Sequence, residues 1–347
     1  MMTVFHSKTG ATLVAISLLG LTLFMGALYS YALLGRCLDT PVDLMVTVRQ
    51  GESLNMVTRR LGEEKVLHRP DFVRLLGLLR GDSSRVKAGE YLFRGRVSPM
   101  EFLDVLVTGR GRLVSITIPE GLNLIEVARR LASQGLGREE EYARLSADPE
   151  FIAGLDLPFR PPFPTLEGFL YPETYHVQPG TSAAGMLTTL VREFKLRAVP
   201  LLQNKANPNR LTPYEALVMA SIIEKETGAG KERPLISAVF HNRLKIKMRL
   251  RSDPTVIYGL ENFDGNITRR HLLTYTPYNT YQIPALPPTP IANPGLDSIR
   301  ASVAPAAVDY LFFVSKGDGT HFFSKDYATH QRAVEEYQIH PNRRKKS

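Results

Sequence analysis

The chain has 347 residues and a net charge of +9, and 44% of its residues are hydrophobic. That length leaves room for two or three compact units, and that apolar content excludes an intrinsically disordered chain. The single cysteine, Cys37, excludes an internal disulfide. The basic balance suits anionic lipid headgroups or an acidic polymer, but no zinc-finger spacing, RNP-like motif or basic helix accompanies it, so nucleic acid is not an expected partner.

The first element is an uncharged apolar run, Ala11 to Gly35. A bilayer core needs roughly 20 apolar residues, so this run is long enough to cross one. The rival reading is a cleaved signal peptide with Ser30-Tyr31-Ala32 as its cleavage site, but the apolar region of such a peptide is typically about 7–15 residues. Residues 11–35 are therefore expected to be a transmembrane helix and residues 1–10 a cytoplasmic N-terminus. Lys8 precedes the run, and Arg36, Asp39 and Asp43 follow it, which gives only a faint positive-inside bias. Cys37 is expected to be a solvent-exposed thiol near the membrane surface, because Arg36 stands where a lipid-modified cysteine would want a small residue.

An internal repeat comes next. Val46-Thr47-Val48-Arg49-Gln50-Gly51 aligns without a gap on Ile116-Thr117-Ile118-Pro119-Glu120-Gly121, and the match continues through Leu54/Leu124, Val57/Val127, Arg59/Arg129, Arg60/Arg130 and Leu61/Leu131. Each copy reads as a strand, a glycine turn and an amphipathic helix. The pattern resembles the start of a LysM module, a small peptidoglycan-binding fold, although such units also occur as plain packing elements. Between the copies, Lys87 to Phe93 predicts a strand and Met100 to Thr108 a helix. Residues 40–150 are taken as a membrane-proximal unit.

The Pro-rich passage Pro158 to Pro164 marks a boundary, Ser182 to Lys195 predicts a helix, and Asn204 to Asn209 a loop. Thr212-Pro213-Tyr214-Glu215 is a helix start with a capping residue, a first-turn proline and a glutamate three residues past the cap. The helix is expected to stop at Gly228. Leu217, Val218, Met219, Ala220, Ile222 and Ile223 surround its axis, so it is a buried helix. Glu224 shares a face with Ala220 and Leu217, while Glu226 points to the other side. A carboxyl poorly hydrated at the end of such a helix favours its protonated form, as a general acid requires. The alternative for Glu224 is a structural ion pair with a nearby arginine.

Downstream, Val239 to Leu244 lies on a helix starting near Pro234, Arg251 to Tyr258 is a turn leading into a helix, and Thr276 to Tyr281 and Leu286 to Gly295 are loops; Glu167 to Tyr175 is similar in character. Tyrosine faces stack on pyranose rings, and Asn, Asp, Thr and Arg bond hydroxyl and acetamido groups, so this mixture suits a sugar site. His241, His271, His321 and His330 lack metal-site spacings, and no serine-hydrolase, Walker or dinucleotide fingerprint stands in usable context. No metal or cofactor is expected.

Taken together, ASIIEKET (Ala220 to Thr227), VFHNRL (Val239 to Leu244), MRLRSDPTVIYGL (Met248 to Leu260), PYNTY (Pro277 to Tyr281), LPPTPIANPG (Leu286 to Gly295) and EGFLYPETY (Glu167 to Tyr175) resemble the endolytic murein transglycosylases, the YceG-like or MltG family. The resemblance runs from the apolar run to about Tyr337. Three positions depart from the family pattern: Arg251 stands where Gln is usual, and Ala285 and Thr289 replace glycines. The implied fold is α+β, with an N-terminal transmembrane helix, a LysM-like α/β subdomain, a mixed α+β catalytic domain over 155–338 and a basic tail over 339–347 that carries Arg343, Arg344, Lys345 and Lys346. The implied activity is that of a lyase. It cleaves the β-1,4 bond between N-acetylmuramic acid and N-acetylglucosamine in nascent glycan strands, leaves a 1,6-anhydro end and so acts as a terminator of elongation. The resemblance puts the catalytic role on Glu224. Substrate binding is expected from Glu167, Tyr171, Glu173, Glu226, Asn242, Arg243, Asp253, Thr255, Tyr278, Asn279 and Tyr281. It also implies a single-pass protein of the bacterial inner (cytoplasmic) membrane with its catalytic domain on the periplasmic side, glycan strands as substrate, and peptidoglycan synthases as partners. Two alternatives stay open: a peptidoglycan hydrolase with Asp253 or Glu173 as second carboxylate, and a non-catalytic peptidoglycan-binding scaffold.

Overall fold

The computed structural model describes residues 5–159, 161–203, 211–261 and 263–339, with the side chains of 5–13, 15, 39–43 and 112 left aside. Residues 1–4, the loop expected at Asn204 to Asn209 and the basic tail from 340 onward lie outside the described residues. The chain forms two compact units, residues 1–115 with 176–179, and residues 116–175 with 180–347.

The first unit begins with α1 (Phe5–Leu34), of which Ile16–Leu34 has the length and mean hydropathy, 1.7, to cross a membrane. Then follow β1 (Leu38–Val48), α2 (Leu54–Glu63), α3 (Pro70–Leu79), β2 (Gly89–Val97), α4 (Pro99–Thr108) and β3 (Arg112–Thr117). The sheet order is β1-β2-β3-β4, with β4 at Thr174–Val177, and β1 and β2 run antiparallel with Val46 opposite Tyr91. Alternate strand residues Val46, Val48, Tyr91 and Phe93 pack on Leu54, Val57, Phe102 and Leu106 as one core. The exposed thiol expected at Cys37 is corrected here. Its main chain opens the sheet, with its N–H on the Val97 carbonyl (2.9 Å) and its carbonyl accepting from His68 N–H (2.7 Å), so the side chain turns into the core and is fully buried. Burial pushes the thiol up to about 12, so it is unreactive at neutral pH.

The second unit holds α5 (Leu124–Ser133), α6 (Glu139–Ser146), α7 (Pro149–Gly154), α8 (Ala183–Arg197), α9 (Val199–Leu202), α10 (Pro213–Glu226), α11 (Arg233–Lys245), α12 (Asp253–Tyr258), α13 (Arg269–Leu273), α14 (Leu296–Val303), the hairpin β5 (Phe312–Ser315) and β6 (His321–Ser324), and α15 (Tyr327–Val334). The repeat is real down to its hydrogen bonds. Gly51 and Gly121 both sit at positive φ (83° and 78°), and Ser53 and Asn123 cap the helices that follow. The Arg60 guanidinium donates to the Thr47 carbonyl, and the equivalent Arg130 donates to the equivalent Thr117 carbonyl. The unit boundary falls at Ser115, so the helix of the second copy belongs with the second unit rather than with residues 40–114.

Helix α10 is the axis of the second unit. Ala216 to Ile223 are all buried, and Val218, Met219, Ile222 and Ile223 share a core with Ile236, Phe240, Leu250, Ile291 and Ala301. Its start is as the sequence reads: the Thr212 hydroxyl accepts from Glu215 N–H (3.2 Å), and the Glu215 carboxylate accepts from Thr212 N–H (2.7 Å). Its end differs. Thr227, in extended conformation, closes the helix before Gly228 and accepts the Ala229 N–H on its hydroxyl (2.9 Å). Thr212→Ala removes the cap and is expected to lower stability by about 1 kcal/mol in chemical denaturation; a change within error would show that packing alone holds this end.

Candidate active site

Glu224 occupies the last turn of α10, and only 6% of its side chain is exposed. Burial is as the sequence implies, but it is not the only influence on this carboxyl. Arg233, the first residue of α11, sets Nη2 at 3.1 Å from Glu224 Oε1, and its own side chain is 11% exposed. The main-chain N–H of Gly295, just before α14, donates to Glu224 Oε2 at 3.0 Å. The ion pair that stood as the alternative reading is therefore present.

A second carboxyl shares the arginine. Glu120, on the turn between β3 and α5, has Oε2 at 3.7 Å from the same Arg233 Nη2. Sequence reasoning met Glu120 only as a position in the repeat, where the first copy has Gln50. A Cβ at Gly295 would lie 1.9 Å from Glu120 Oε1, so a larger residue there would push that carboxyl aside. Gly121 turns the chain beside Glu224, at 3.6 Å from its Cγ if it carried a Cβ, and Lys225 Nζ donates to the Gly121 carbonyl (3.1 Å).

What fixes these loops is a knot of polar groups around Asn293 and Glu167. Asn293 takes the Leu170 N–H on its side-chain oxygen (2.9 Å) and donates its amide to the Leu122 carbonyl (2.9 Å). Its main chain bonds Leu122 O and Gly121 N–H. Glu167, 3% exposed, accepts from Leu124 N–H with both oxygens (3.1 Å each) and from the Tyr258 hydroxyl (2.9 Å). Burial pushes its pKa up to about 7, against the pull of these donors. Glu167, expected to bind substrate, has internal bonding partners here.

Several other expected sugar contacts also have bonding partners inside the protein. Asn279, fully buried, donates to the carbonyls of His271, Leu272 and Thr274. Thr255, fully buried, bonds the Ser252 carbonyl. Asn242 donates to the Val308 and Tyr310 carbonyls (2.8 and 2.9 Å), and Tyr171, 7% exposed, packs in the core with its carbonyl taking the Tyr175 hydroxyl. These are loop-stiffening groups, because a buried polar atom needs a partner inside the protein. Tyr278 remains half-buried, with its hydroxyl on Thr289 (2.8 Å), so one residue that departs from the family pattern has an internal role. Glu173 is exposed and accepts its neighbour Thr174 N–H (3.0 Å).

The remaining four come together. Glu226, Arg243, Asp253 and Tyr281 line a polar cavity of about 450 Å³. Arg243 is tied by its guanidinium to the Leu311 and Leu250 carbonyls, and the Tyr281 hydroxyl donates to Asp253 Oδ1 (2.7 Å). Glu226 is pushed up to about 7, first by burial, with the Asp253 charge adding and Ser252 and Arg243 opposing. Arg251, a second of the three departures, lines the cavity from a left-handed backbone (φ 50°), which the Thr280 carbonyl holds through the Arg251 N–H (3.2 Å). Among the described residues no cluster of three or more His, Cys, Asp or Glu side chains could hold a metal ion.

A sequence model described as the YceG-like family matches residues 46–336. The chain is 28% identical over 311 residues to the endolytic murein transglycosylase of Bacillus subtilis (strain 168), covering 86% of each chain. It is 28% identical over 280 residues to the protein of the same name from Streptococcus pneumoniae (D39), covering 73% of this chain and 51% of that one. A 2.6 Å crystal structure of a yceG-like protein from Listeria monocytogenes matches with a TM-score of 0.59 and 29% identity, over 84% of this chain and 99% of that one.

The Glu167 carboxyl predicts a pH dependence. Its folded pKa, about 7, lies above the unfolded value of 4.5, so its contribution to stability is full below pH 4.5 and is lost as pH rises through 7. The loss is on the order of 3 kcal/mol. Denaturation of Glu167→Gln across pH 4–8 is expected to show a flatter decline than the parent; an unchanged slope would assign the titration to other groups.

Proposed function

The chain belongs to the YceG-like family, and we propose that it is an endolytic peptidoglycan lytic transglycosylase with Glu224 as its catalytic carboxyl. The observation that carries the assignment is the setting of Glu224. The first glutamate of the Ser221 to Thr227 run is fixed at two points, by Arg233 and by the Gly295 N–H, where four separated motifs converge. A carboxylate has about four lone-pair directions, so two such bonds leave others for a substrate hydroxyl.

In this reaction protonated Glu224 gives its proton to the glycosidic oxygen between N-acetylmuramic acid and N-acetylglucosamine, and positive charge builds on the muramoyl ring while Glu224 is left ionised. The muramoyl C6 hydroxyl then attacks C1 of its own ring and gives up its proton to Glu224. The product carries a 1,6-anhydro end and no water is consumed. Because the nucleophile is internal, the water-activating carboxylate of an inverting hydrolase has no counterpart here. Preorganised donors around Glu224 lower the barrier by holding it aligned before the reaction starts.

Ile16–Leu34 supports a single-pass anchor, which would keep the enzyme beside newly made strands, with the second unit outside the cytoplasm and peptidoglycan synthases as neighbours. We assign contacts to sugar units away from the scissile bond to the cavity walled by Glu226, Arg243, Asp253 and Tyr281. Asp253 and Glu173, the carboxylates a hydrolase would need, bond Tyr281 and Thr174.

Mass spectrometry of products from purified glycan strands is expected to show anhydro-muramoyl ends. Glu224→Gln should reduce product release by about 100-fold or more while glycan binding stays close to the parent's, and its melting point should fall because Arg233 loses its buried partner. Reducing ends, or full activity in that variant, would overturn the assignment.

A further inference from the structure

Helix α3 carries an apolar face that the core of the first unit does not use. Val73 and Gly77 are buried, and Leu76 packs on that core. Gly77 lies so close to α2 that an added Cβ would stand 2.1 Å from Leu54 Cδ2. At about 100° per residue, Phe72, Leu75, Leu78 and Leu79 fall together on the other side of the helix. Leu75, Leu78 and Leu79 are 50%, 65% and 74% exposed. Leucines scattered singly on a surface are ordinary, but a contiguous group marks a place of contact.

The start of α3 is fixed to the end of α1. The Phe72 and Tyr31 rings meet edge to face with centroids 4.8 Å apart. The Arg69 guanidinium stands 5.0 Å from the centre of the same Tyr31 ring. The His68 N–H donates to the Cys37 carbonyl (2.7 Å), and the Tyr31 hydroxyl donates to the Arg36 carbonyl (3.1 Å). Tyr31 belongs to the last turn of the Ile16–Leu34 span. The leucine face therefore begins, through Phe72, at the end of that span.

We infer that α3 is a second membrane contact, with Leu75, Leu78 and Leu79 resting in the headgroup–acyl boundary of the bilayer that α1 spans. The inference rests on the reading of Ile16–Leu34 as an anchor and goes beyond it. A lone anchor leaves the unit attached to it free to tilt, whereas a second contact sets how that unit stands on the bilayer.

The chemistry around the face suits a lipid surface. A helix of this kind lowers its apolar side about 5–10 Å into the boundary, with cations beside it at the level of the phosphates. Lys65, His68 and Arg69 are exposed in the turn before α3, and Arg36 is exposed just after α1. Cations so placed are drawn to anionic headgroups. Tyr29 and Tyr31, near the end of α1, are the amphipathic rings that a membrane boundary favours. The acidic residue in the first turn of α3, Asp71, is paired with Arg74 (2.9 Å). Lipid is the occupant the geometry selects, because α1 itself brings the bilayer to the start of this face.

The chain has no tryptophan, so a single introduced one reports only its own surroundings. The test places the full chain in vesicles of phosphatidylethanolamine and phosphatidylglycerol, as three separate variants: Leu78→Trp, Leu23→Trp and Met45→Trp. Leu23 lies within the span. Met45 is exposed and, next to the core residue Val46, points to the sheet face away from α3; it also measures the attraction of tryptophan itself for lipid. Emission is read with lipids brominated near the headgroup end or near the methyl end of the acyl chain. Leu78→Trp should emit at shorter wavelength than Met45→Trp and be quenched most by the shallow bromine, and Leu23→Trp most by the deep one. Adding Leu75→Ser and Leu79→Ser to Leu78→Trp should return its emission toward that of Met45→Trp, with melting unchanged because neither leucine packs in the core. Leu78→Trp quenched no more than Met45→Trp overturns the inference. Short-wavelength emission without quenching also overturns it, since a protein surface would then cover the face. Leu23→Trp quenched beside an unquenched Leu78→Trp leaves the anchor reading standing, whereas an unquenched Leu23→Trp defeats that reading and the inference with it.

Discussion

Arg233 is the cation on which the arrangement of the site depends. Its guanidinium meets a nearly buried carboxyl at 3.1 Å and a half-exposed one at 3.7 Å. Removing one partner from a buried ion pair typically costs 3–5 kcal/mol, because the other charge is left without compensation. Arg233 stands at the first turn of α11, where a cation gains nothing from the helix dipole. Its place is set instead by the two carboxyls it faces. The sequence places these 104 residues apart, and the fold brings them to one nitrogen.

That convergence needs the polar knot at Asn293 and Glu167. Two stretches of loop meet α10 near its end, one through Gly121 and the other through Gly295. Loops alone would hold them loosely, since an irregular chain has few internal bonds. Here Asn293 bonds both stretches, and Glu167 ties the start of α5 to Tyr258 on α12. Buried Asn and Glu side chains with several partners each are rigid, because any displacement leaves a polar atom unbonded. The knot thus ties these loops into a frame that holds the two carboxyls near one cation.

Much of this was legible in the chain and part was not, for physical reasons. The cap at Thr212, the buried girdle of α10 and the repeat were readable because helix caps and apolar periodicity act over a few residues. The repeat even carries its Arg60 and Arg130 bonds to the Thr47 and Thr117 carbonyls. The polar clusters were readable as important but not as what they are. Asn279 and Thr255 look the same in sequence whether they bond a sugar or a carbonyl of the chain, and only burial decides. Cys37 was misread because its neighbours Arg36 and the apolar run suggested a surface, while its main-chain bonds turned it inward. Glu120 was missed because a residue in a tight turn carries no periodic signal, and its partner lies on a distant helix.

The last turn of α10 also shows why low hydration by itself does not identify a catalytic carboxyl. Glu224 and Glu226 sit two residues apart and point to different surroundings. Glu226 is pushed up to about 7 and faces a cavity with Asp253, Tyr281 and two arginines, so it satisfies a burial criterion at least as well as Glu224 does. What separates them is what each carboxyl meets. Glu224 meets fixed donors, the Arg233 guanidinium and the Gly295 N–H, and shares its cation with a second, more exposed carboxyl. Glu226 meets groups already engaged with each other: Asp253 with Tyr281, and Arg243 with main-chain carbonyls. A carboxyl that holds a proton in a cavity of mixed charge is suited to bonding a ligand, since it offers a donor and an acceptor together. Proton transfer to a breaking bond is helped when fixed donors align the carboxyl and leave its other lone pairs open, and on α10 that condition is met on the side of Glu224.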